Sequence, residues 1–357
     1  MKRITVDGRM VNSSGIGTVI QNVMKRLVLI HPDWIFSIIG SSNELGMFEF
    51  AHQSNVEIIP SDTPIYSIQE QIKLPYLIPK DSNLLWVPHY NIPVFYQGPV
   101  IATVHDVFHL AMPQFVGGPH KLLYAKLMFH EVVKKTKHII CVSQFTKNEL
   151  VKYTGVSEEK ISVVYNGVDK FWSSPLEKAD RIYPKPYILF VGNVKPHKNL
   201  RRLVKAFQLI ASQIPQDLII VGKKEGFITG DTEVAKMAEI MGNRIHFTGF
   251  VSNEELKNYY HYADLFAFPS LYEGFGLPPL EAMSAGCRNI AVSDIPVLHE
   301  IYGDHVSYFE PENVPSIANQ LLFRLRKRTV KEDISQPSFD WDSCTAAYAR
   351  IMEESIT

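Results

Sequence analysis

The stretch Asp264-Leu265-Phe266-Ala267-Phe268-Pro269-Ser270-Leu271-Tyr272-Glu273-Gly274-Phe275-Gly276-Leu277-Pro278-Pro279-Leu280-Glu281-Ala282-Met283 decides how this chain is read. The short apolar run 264–268 has the composition of a buried strand. Gly274 and Gly276 supply a turn. Pro278 and Pro279 open a helix, because the N–H groups they lack have no partner in a first helical turn. Glu273 therefore stands on the turn, and Glu281 stands eight positions on, inside the first turns of the helix. Between them lie backbone N–H groups of the helix mouth, at the positive end of the helix dipole. The arrangement suits a ligand that carries both hydroxyls and phosphate. Either glutamate taken singly reads equally well as a surface residue after a strand.

On both sides of this stretch, β-branched or aromatic runs alternate with helix-period segments along the whole chain. Strands are expected at 4–6, 35–39, 56–59, 84–87, 100–104, 138–142 and 161–164, then at 187–191, 217–221, 244–247, 264–268 and 288–292. Ile16, Val19, Ile20, Val23, Leu27 and Ile30 form a one-sided helical stripe. So do Leu200, Leu203, Val204, Phe207 and Ile210. Further helices are expected around 231–241, from the capping box Ser252-Asn253-Glu254-Glu255, from 278, and near 313–327. Such alternation predicts parallel sheets with helices on both faces. The polar, Pro-containing stretch 171–186 breaks the pattern and reads as a linker. Domain 1–170 precedes it and domain 187–337 follows it, with a terminal helix at 338–357 packing back on the first.

The bulk numbers agree. With 357 residues, 46% of them hydrophobic and 20% charged, the chain is a globular protein of two-domain size. A net charge of −1 gives no global field for nucleic acid. Cys141, Cys287 and Cys344 show no CxxC spacing, which argues against a disulfide framework or a cysteine zinc site and fits a reducing cytosol. The N-terminus lacks the apolar core of a signal peptide, and no run approaches 18 apolar residues.

The 269–286 segment resembles the EX7E motif of the retaining glycosyltransferases of GT-B fold, family GT4. The resemblance extends over nearly the whole chain. Val6-Asp7-Gly8-Arg9 with Gly15-Ile16-Gly17-Thr18 looks like the opening strand and glycine loop of that family. Thr103-Val104-His105-Asp106 matches a strand end, and Tyr165-Asn166-Gly167-Val168-Asp169 a junction signature in which Gly167 is expected at positive φ. Phe190-Val191-Gly192-Asn193-Val194-Lys195-Pro196-His197-Lys198-Asn199-Leu200 matches the first turn of the C-terminal domain. Phe247-Thr248-Gly249-Phe250-Val251-Ser252 matches the turn beside the nucleotide base.

The resemblance implies an α/β GT-B architecture, two Rossmann-like β/α/β domains facing each other across a cleft. It implies that Glu273 binds hydroxyls of the transferred sugar and Glu281 the ribose. The N–H groups of Gly274, Phe275, Gly276 and Leu277 would meet the sugar and the phosphates. Gly15 and Gly17 would let backbone approach the donor, and main-chain contacts at Val251 would border the base. His105 would contact the donor sugar. Asp106 would either orient that imidazole or cap the next segment. Lys198 matches one of two cations that hold the diphosphate. The other, usually Arg, is Asn193 here, with Lys195 and His197 as candidate replacements.

The activity so implied is a metal-independent, retaining hexosyl transfer to a hydroxyl of a glycan or lipid-linked acceptor in bacterial polysaccharide biosynthesis. No cofactor is implied. The donor would be a nucleoside-diphosphate sugar: GDP-mannose first, since the local patterns resemble mannosyltransferase-like members, with UDP- and dTDP-hexoses open. A sugar-nucleotide epimerase or a catalytically silent sugar-nucleotide-binding protein on the same scaffold stands as the alternative, and Asn193 favours the silent form. Asp340-Trp341-Asp342 imitates a metal-binding DXD but follows no strand, so no catalytic metal is expected. Residues 118–138 carry five lysines, three histidines and one glutamate among interleaved apolar residues. They read either as an amphipathic helix with one face in the core or as a dock for anionic membrane or a lipid-diphosphate acceptor. The run 324–328 reads as solvated helix surface. The expected location is the cytoplasm, peripheral to the inner face of the membrane.

Overall fold

The computed structural model describes residues 2–177, 180–222, 232–327 and 338–356. Met1, Arg328, residue 337 and Thr357, which figure in the expectations above, lie outside them. The chain divides into two compact units: Met1–Gly167 with Phe339–Thr357, and Val168–Ser338.

The first unit runs β1 (Arg3–Asp7), α1 (Ser14–Ile30), β2 (Ile35–Gly40), α2 (Ser42–Leu45), β3 (Val56–Pro60), α3 (Ile68–Leu77), β4 (Leu84–Val87), β5 (Val100–Val104), α4 (Phe108–Ala111), α5 (Pro119–Lys135), β6 (His138–Cys141), α6 (Gln144–Thr154) and β7 (Ile161–Val163). The seven strands pair in the order β3-β2-β1-β4-β5-β6-β7, all parallel. β4 and β5 are buried at every position, as strands covered on both faces must be. The stripe of α1 packs Val19, Ile20, Val23, Met24 and Leu27 into the core beside Trp86.

The second unit runs α7 (Lys170–Ser173), β8 (Tyr187–Val191), α8 (Leu200–Ile210), β9 (Asp217–Val221), α9 (Thr232–Met241), β10 (Ile245–Gly249), α10 (Asn253–Tyr262), β11 (Leu265–Phe268), α11 (Leu277–Ser284), β12 (Ile290–Ser293), α12 (Pro296–Tyr302), β13 (Ser307–Phe309) and α13 (Val314–Arg326). Its sheet is parallel, in the order β10-β9-β8-β11-β12-β13. Helix α10 begins with the expected capping box: Glu255 N–H donates to Ser252 Oγ at 3.2 Å and Ser252 N–H to Glu255 Oε2 at 2.8 Å.

The last helix, α14 (Trp341–Ile356), belongs to the first unit. It packs against α1, with Arg26 Nε on Asp342 Oδ1 at 2.6 Å and Tyr348 buried against Trp86. Asp340 caps it by accepting from Ser343 N–H at 2.7 Å. Both carboxylates of the Asp-Trp-Asp stretch are thus engaged in helix capping and helix pairing.

Two expectations need correction. The stretch read as a linker is packed on the second unit. Asp169 caps α7, Trp172 is buried against Tyr260, and Lys257 Nζ donates to Ser174 Oγ at 2.6 Å and to the Pro175 carbonyl. Its composition is that of a linker, but one tryptophan and three side chains of α10 anchor it, the third being Asn258 on the Asp180 carbonyl at 2.9 Å. Gly167 is not at positive φ. Glycine is required there because a Cβ would stand 2.2 Å from the Trp341 nitrogen.

Candidate functional site

In each sheet the strand order reverses direction at one place. In the second unit that place is between β8 and β11, which are hydrogen-bonded neighbours far apart in sequence. Helices that follow two such strands leave on opposite faces, so their turns diverge and open a crevice beyond the carboxyl ends. The turn after β8, 192–199, and the turn after β11, 269–276, flank it. Both carry residues singled out from the sequence.

The two turns are stitched together. Leu271 N–H donates to the His197 carbonyl at 2.8 Å. Asn199, buried and left-handed, donates its side-chain amide to the carbonyls of Pro269 at 3.0 Å and Pro311 at 2.7 Å. This seats Lys198 beside Glu273, Nζ to Oε1 at 2.5 Å, with the two side chains 22% and 13% exposed. Gly276 takes left-handed backbone (φ 88°), and its carbonyl accepts from the Tyr302 hydroxyl. That turn delivers Leu277 as the first residue of α11, so the N–H groups of Gly274 through Leu277 lie at the helix mouth next to the Lys198–Glu273 pair. Cation, carboxylate and helix N-terminus together make a place for an anionic group bearing hydroxyls.

Glu281 lies farther along α11. Burial pushes its carboxyl up to about 7, opposed by the Tyr260 hydroxyl, which donates to Oε2 at 3.3 Å. Val251, half-buried, follows the exposed Phe250 on the turn between β10 and α10. Asn193 is half-buried on the turn after β8, where its carbonyl accepts from Lys195 N–H at 2.9 Å. Lys195 is exposed.

In the first unit the order reverses between β1 and β4. There the sequence-predicted residues separate. Gly17 is required by packing, since a Cβ would stand 2.3 Å from the Val11 carbonyl oxygen. Gly15 is exposed, with open space around its Cα. His105, at the end of β5, donates from Nε2 to the Pro88 carbonyl at 2.9 Å. A carbonyl can only accept, so the ring is held as the Nε2–H tautomer and Nδ1 is left as an acceptor. Burial pushes its pKa down to about 4, so the ring is neutral in the physiological range. Asp106 does not orient the ring; its Oδ1 accepts from Phe108 N–H at 2.9 Å and caps α4.

The β1/β4 reversal itself is filled by a network the sequence reading missed. Arg9, whose side chain is 3% exposed, pairs with Asp7 and Glu70, each at 2.6 Å. His89 Nε2 donates to Asp7 Oδ2 at 3.3 Å while its Nδ1 accepts from Asn91 N–H at 3.0 Å. Asn91 in turn donates to Glu70 at 2.6 Å and accepts from the Tyr124 hydroxyl. Burial alone would raise the Asp7 carboxyl, but Arg9 and His89 hold it well below the usual carboxylate range. Asp7 and Arg9 are near each other in sequence, as are His89 and Asn91, but the two pairs and Glu70 come from different parts of the chain. The same holds for Asn199, Tyr260 and Tyr302 in the second unit.

Among the described residues no group of three or more His, Cys, Asp or Glu side chains is placed to hold a metal ion. Nor is any helix long and apolar enough to cross a membrane.

Comparison with known proteins bears on the family and the fold. The Glycosyl transferases group 1 family matches residues 176–338, and Glycosyltransferase Family 4 matches residues 81–170. The O-antigen chain mannosyltransferase RfbU of Salmonella typhimurium is 32% identical over 237 residues, 66% of this chain and 63% of that protein. The O-antigen chain mannosyltransferase B of Escherichia coli is 28% identical over 261 residues, 69% of this chain and 68% of that protein. The match to the serotype-specific mannosyltransferase WbdA of Escherichia coli spans only 30% of its length. Among solved structures, Anabaena HepE in complex with UDP and glucose superposes with a TM-score of 0.74 at 17% identity, covering 99% of this chain and 100% of that one. Sucrose-phosphate synthase from Thermosynechococcus elongatus gives 0.73 at 17% identity, covering 99% of each. Two parallel Rossmann-like sheets, glycosyltransferase matches to both, and this shared architecture place the chain in the GT-B fold and in glycosyltransferase family 4, the glycosyl transferases group 1.

Proposed function

We propose that this chain is a retaining hexosyltransferase that moves mannose from GDP-mannose to a hydroxyl of a glycan or lipid-linked acceptor in bacterial polysaccharide assembly. The observation that carries the transferase reading is the Lys198–Glu273 pair, set beside the α11 mouth at the β8/β11 reversal. Mannose is supported by the names of the relatives, which are O-antigen mannosyltransferases.

In this reading Lys198 and the N–H groups of 274–277 hold the diphosphate, Glu273 the sugar hydroxyls and Glu281 the ribose. Asn193 and Val251 border the nucleotide, and Gly15 leaves room for a ligand near the α1 mouth. In the first unit His105 Nδ1 is left to accept from a ligand hydroxyl, because a neutral ring with Nε2 already bonded has that one role left. The acceptor oxygen attacks the anomeric carbon on the face the diphosphate leaves. The bond from that carbon to the diphosphate breaks, and the acceptor proton passes to the departing phosphate oxygen. The protein supplies position and charge rather than a nucleophile. The reaction needs no metal.

The helical faces of the first unit support a membrane-linked acceptor. Helix α5 exposes Leu123 and Leu127 among Lys121, Lys126 and Lys134. Helix α3, absent from the sequence expectations, exposes Ile68 (82%), Ile72 and Tyr76 (86%) at i, i+4 and i+8. Exposed apolar side chains with exposed lysines on the same helix match a bilayer with anionic headgroups.

The test is turnover of GDP-, UDP- and dTDP-sugars by the full chain, with and without EDTA. GDP-mannose should turn over fastest and EDTA should not matter. Nucleotide binding without turnover of any donor would make the chain a binding protein. Sedimentation with phosphatidylglycerol vesicles should weaken in a Lys121→Gln/Lys126→Gln/Lys134→Gln variant; unchanged sedimentation removes the membrane from the reading.

A further inference from the structure

We infer that Tyr260 is the positioning residue for Glu281, and that the segment by which the chain enters the second unit acts on Glu281 through Trp172. The inference rests on the assignment of Glu281 to the nucleotide ribose and extends it to two residues with no place in that assignment.

Tyr260 is fully buried on α10, where a hydroxyl must find a partner. Its partner is Glu281 Oε2, at 3.3 Å. Among the described residues no cation pairs with Glu281. The titratable groups that face it are Tyr260 from α10 and Tyr302 from α12, and the Tyr302 hydroxyl is committed to the Gly276 carbonyl. Tyr260 is therefore the one donor that favours the charged carboxylate. By occupying Oε2 it also aims Oε1 away from itself, fixing which oxygen a ribose hydroxyl meets.

The Tyr260 ring is held edge-on between Phe266 of β11, at 5.4 Å, and Trp172 of α7, at 5.6 Å. Phe266 is fully buried and paired on both sides within the sheet. Trp172 sits four residues past the start of the unit, on a four-residue helix. That helix is fixed to α10 by Lys257, whose Nζ reaches Ser174 and Pro175 and lies 4.6 Å from the Phe171 ring centroid. So α10 holds the entry segment with Lys257 and holds Glu281 with Tyr260, one turn apart. A displacement of the entry segment moves Trp172, frees the Tyr260 ring and loosens the hydroxyl on Glu281. Nucleotide affinity should then follow the seating of residues 170–175.

Calorimetric titration of the full chain with GDP, UDP and dTDP between pH 6 and 9 tests this. Glu281→Gln comes first, and weaker binding upholds the ribose assignment. If Glu281→Gln binds as wild type, that assignment fails and this inference with it. Tyr260→Phe keeps the packed ring and removes only the hydroxyl. It should weaken nucleotide about tenfold near pH 8, the worth of one hydrogen bond to a charged group. The rise of affinity as Glu281 ionises should also move to higher pH, since the donor that favoured the charged form is gone. Trp172→Ala should weaken binding about threefold, the size of one aromatic contact, and Trp172→Phe should restore it. Should Trp172→Ala not fold, Trp172→Leu is read instead. Binding and pH profile unchanged in Tyr260→Phe, alongside weak binding in Glu281→Gln, would overturn the role of Tyr260. A Trp172 variant that melts earlier yet binds nucleotide normally would overturn the link to the entry segment.

Discussion

The two units reverse their strand order in the same way, yet fill the reversal with opposite kinds of chemistry. Beyond β8 and β11 the charges are few and half open: one lysine on one glutamate, with a helix mouth alongside. Beyond β1 and β4 they are buried and closed on themselves, with Arg9 clamped between Asp7 and Glu70 and braced by His89 and Asn91. A partly exposed pair keeps its hydration within reach, so it can exchange partners for a ligand at low cost. A buried triad cannot release any member without stranding the others. The first is the candidate site and the second is a frame, although both arise from the same topology.

Removing a cation should break this comparison most sharply. Arg9→Met strands two buried carboxylates and should cost about 3–5 kcal/mol, read by hydrogen exchange on peptides of β1 and β4. Lys198→Met, at a pair that water still reaches, should cost under about 1 kcal/mol while removing transfer. Equal costs would mean the two reversals do not differ in kind.

On activity, Glu273→Ala should lower transfer about 10²–10³-fold with the far-UV spectrum unchanged, the loss expected of one preorganised charged group. A near-native rate would take the sugar site away from Glu273.

Acidity should separate the two units in sign. Arg9 and His89 depress the Asp7 carboxyl, so its contribution is fully present above the ordinary carboxylate range and is lost as pH falls toward the folded value. Burial raises Glu281 from 4.5 to about 7, so the second unit loses stability as pH climbs through that interval. Glu281→Gln should therefore stabilise the second unit at pH 8 and leave it unchanged at pH 4, measured by chemical denaturation. Asp7→Asn should do harm at pH 7 and progressively less toward pH 2.

The glycines give the smallest effect. Gly17→Ala meets the Val11 carbonyl and should cost about 1–3 kcal/mol. Gly15→Ala meets nothing and should stay within about 0.5 kcal/mol, so any loss of donor binding there reports on the ligand rather than the fold.

Much of the fold was legible because parallel strands buried on both faces are continuous apolar runs that need no context to be seen. Strand β13, Ser307–Phe309, is three residues long with one of them fully buried, and nothing in Ser-Tyr-Phe announces it. Helix α3 has Pro75 inside it, shows Ile68, Ile72 and Tyr76 to solvent and buries Glu70 and Gln71 beside Leu74, which inverts the usual signal. The entry segment 170–175 has the composition of a linker and the packing of a domain. On the site, Glu273, Lys198 and the helix mouth were legible because each lies within one turn of a recognisable strand end. Asn199, Tyr260, Tyr302 and the Arg9 network were not, because each acts across elements far apart in the chain.

The amino-acid sequence by itself determined the alternation of strand and helix, and with it the parallel sheets. It also determined the Gly-rich turn that starts α11 and the glutamates on either side of it, since these depend on φ preferences and neighbours a few residues away. Only the tertiary structure decided which charges are paired. Lys198 meets Glu273 because Asn199 and Leu271 lock two turns together, and Arg9 is enclosed because α3 brings Glu70 across 61 residues. Pairing across such distances depends on the order in which strands join a sheet, and strand order is a property of the folded chain rather than of any segment of it.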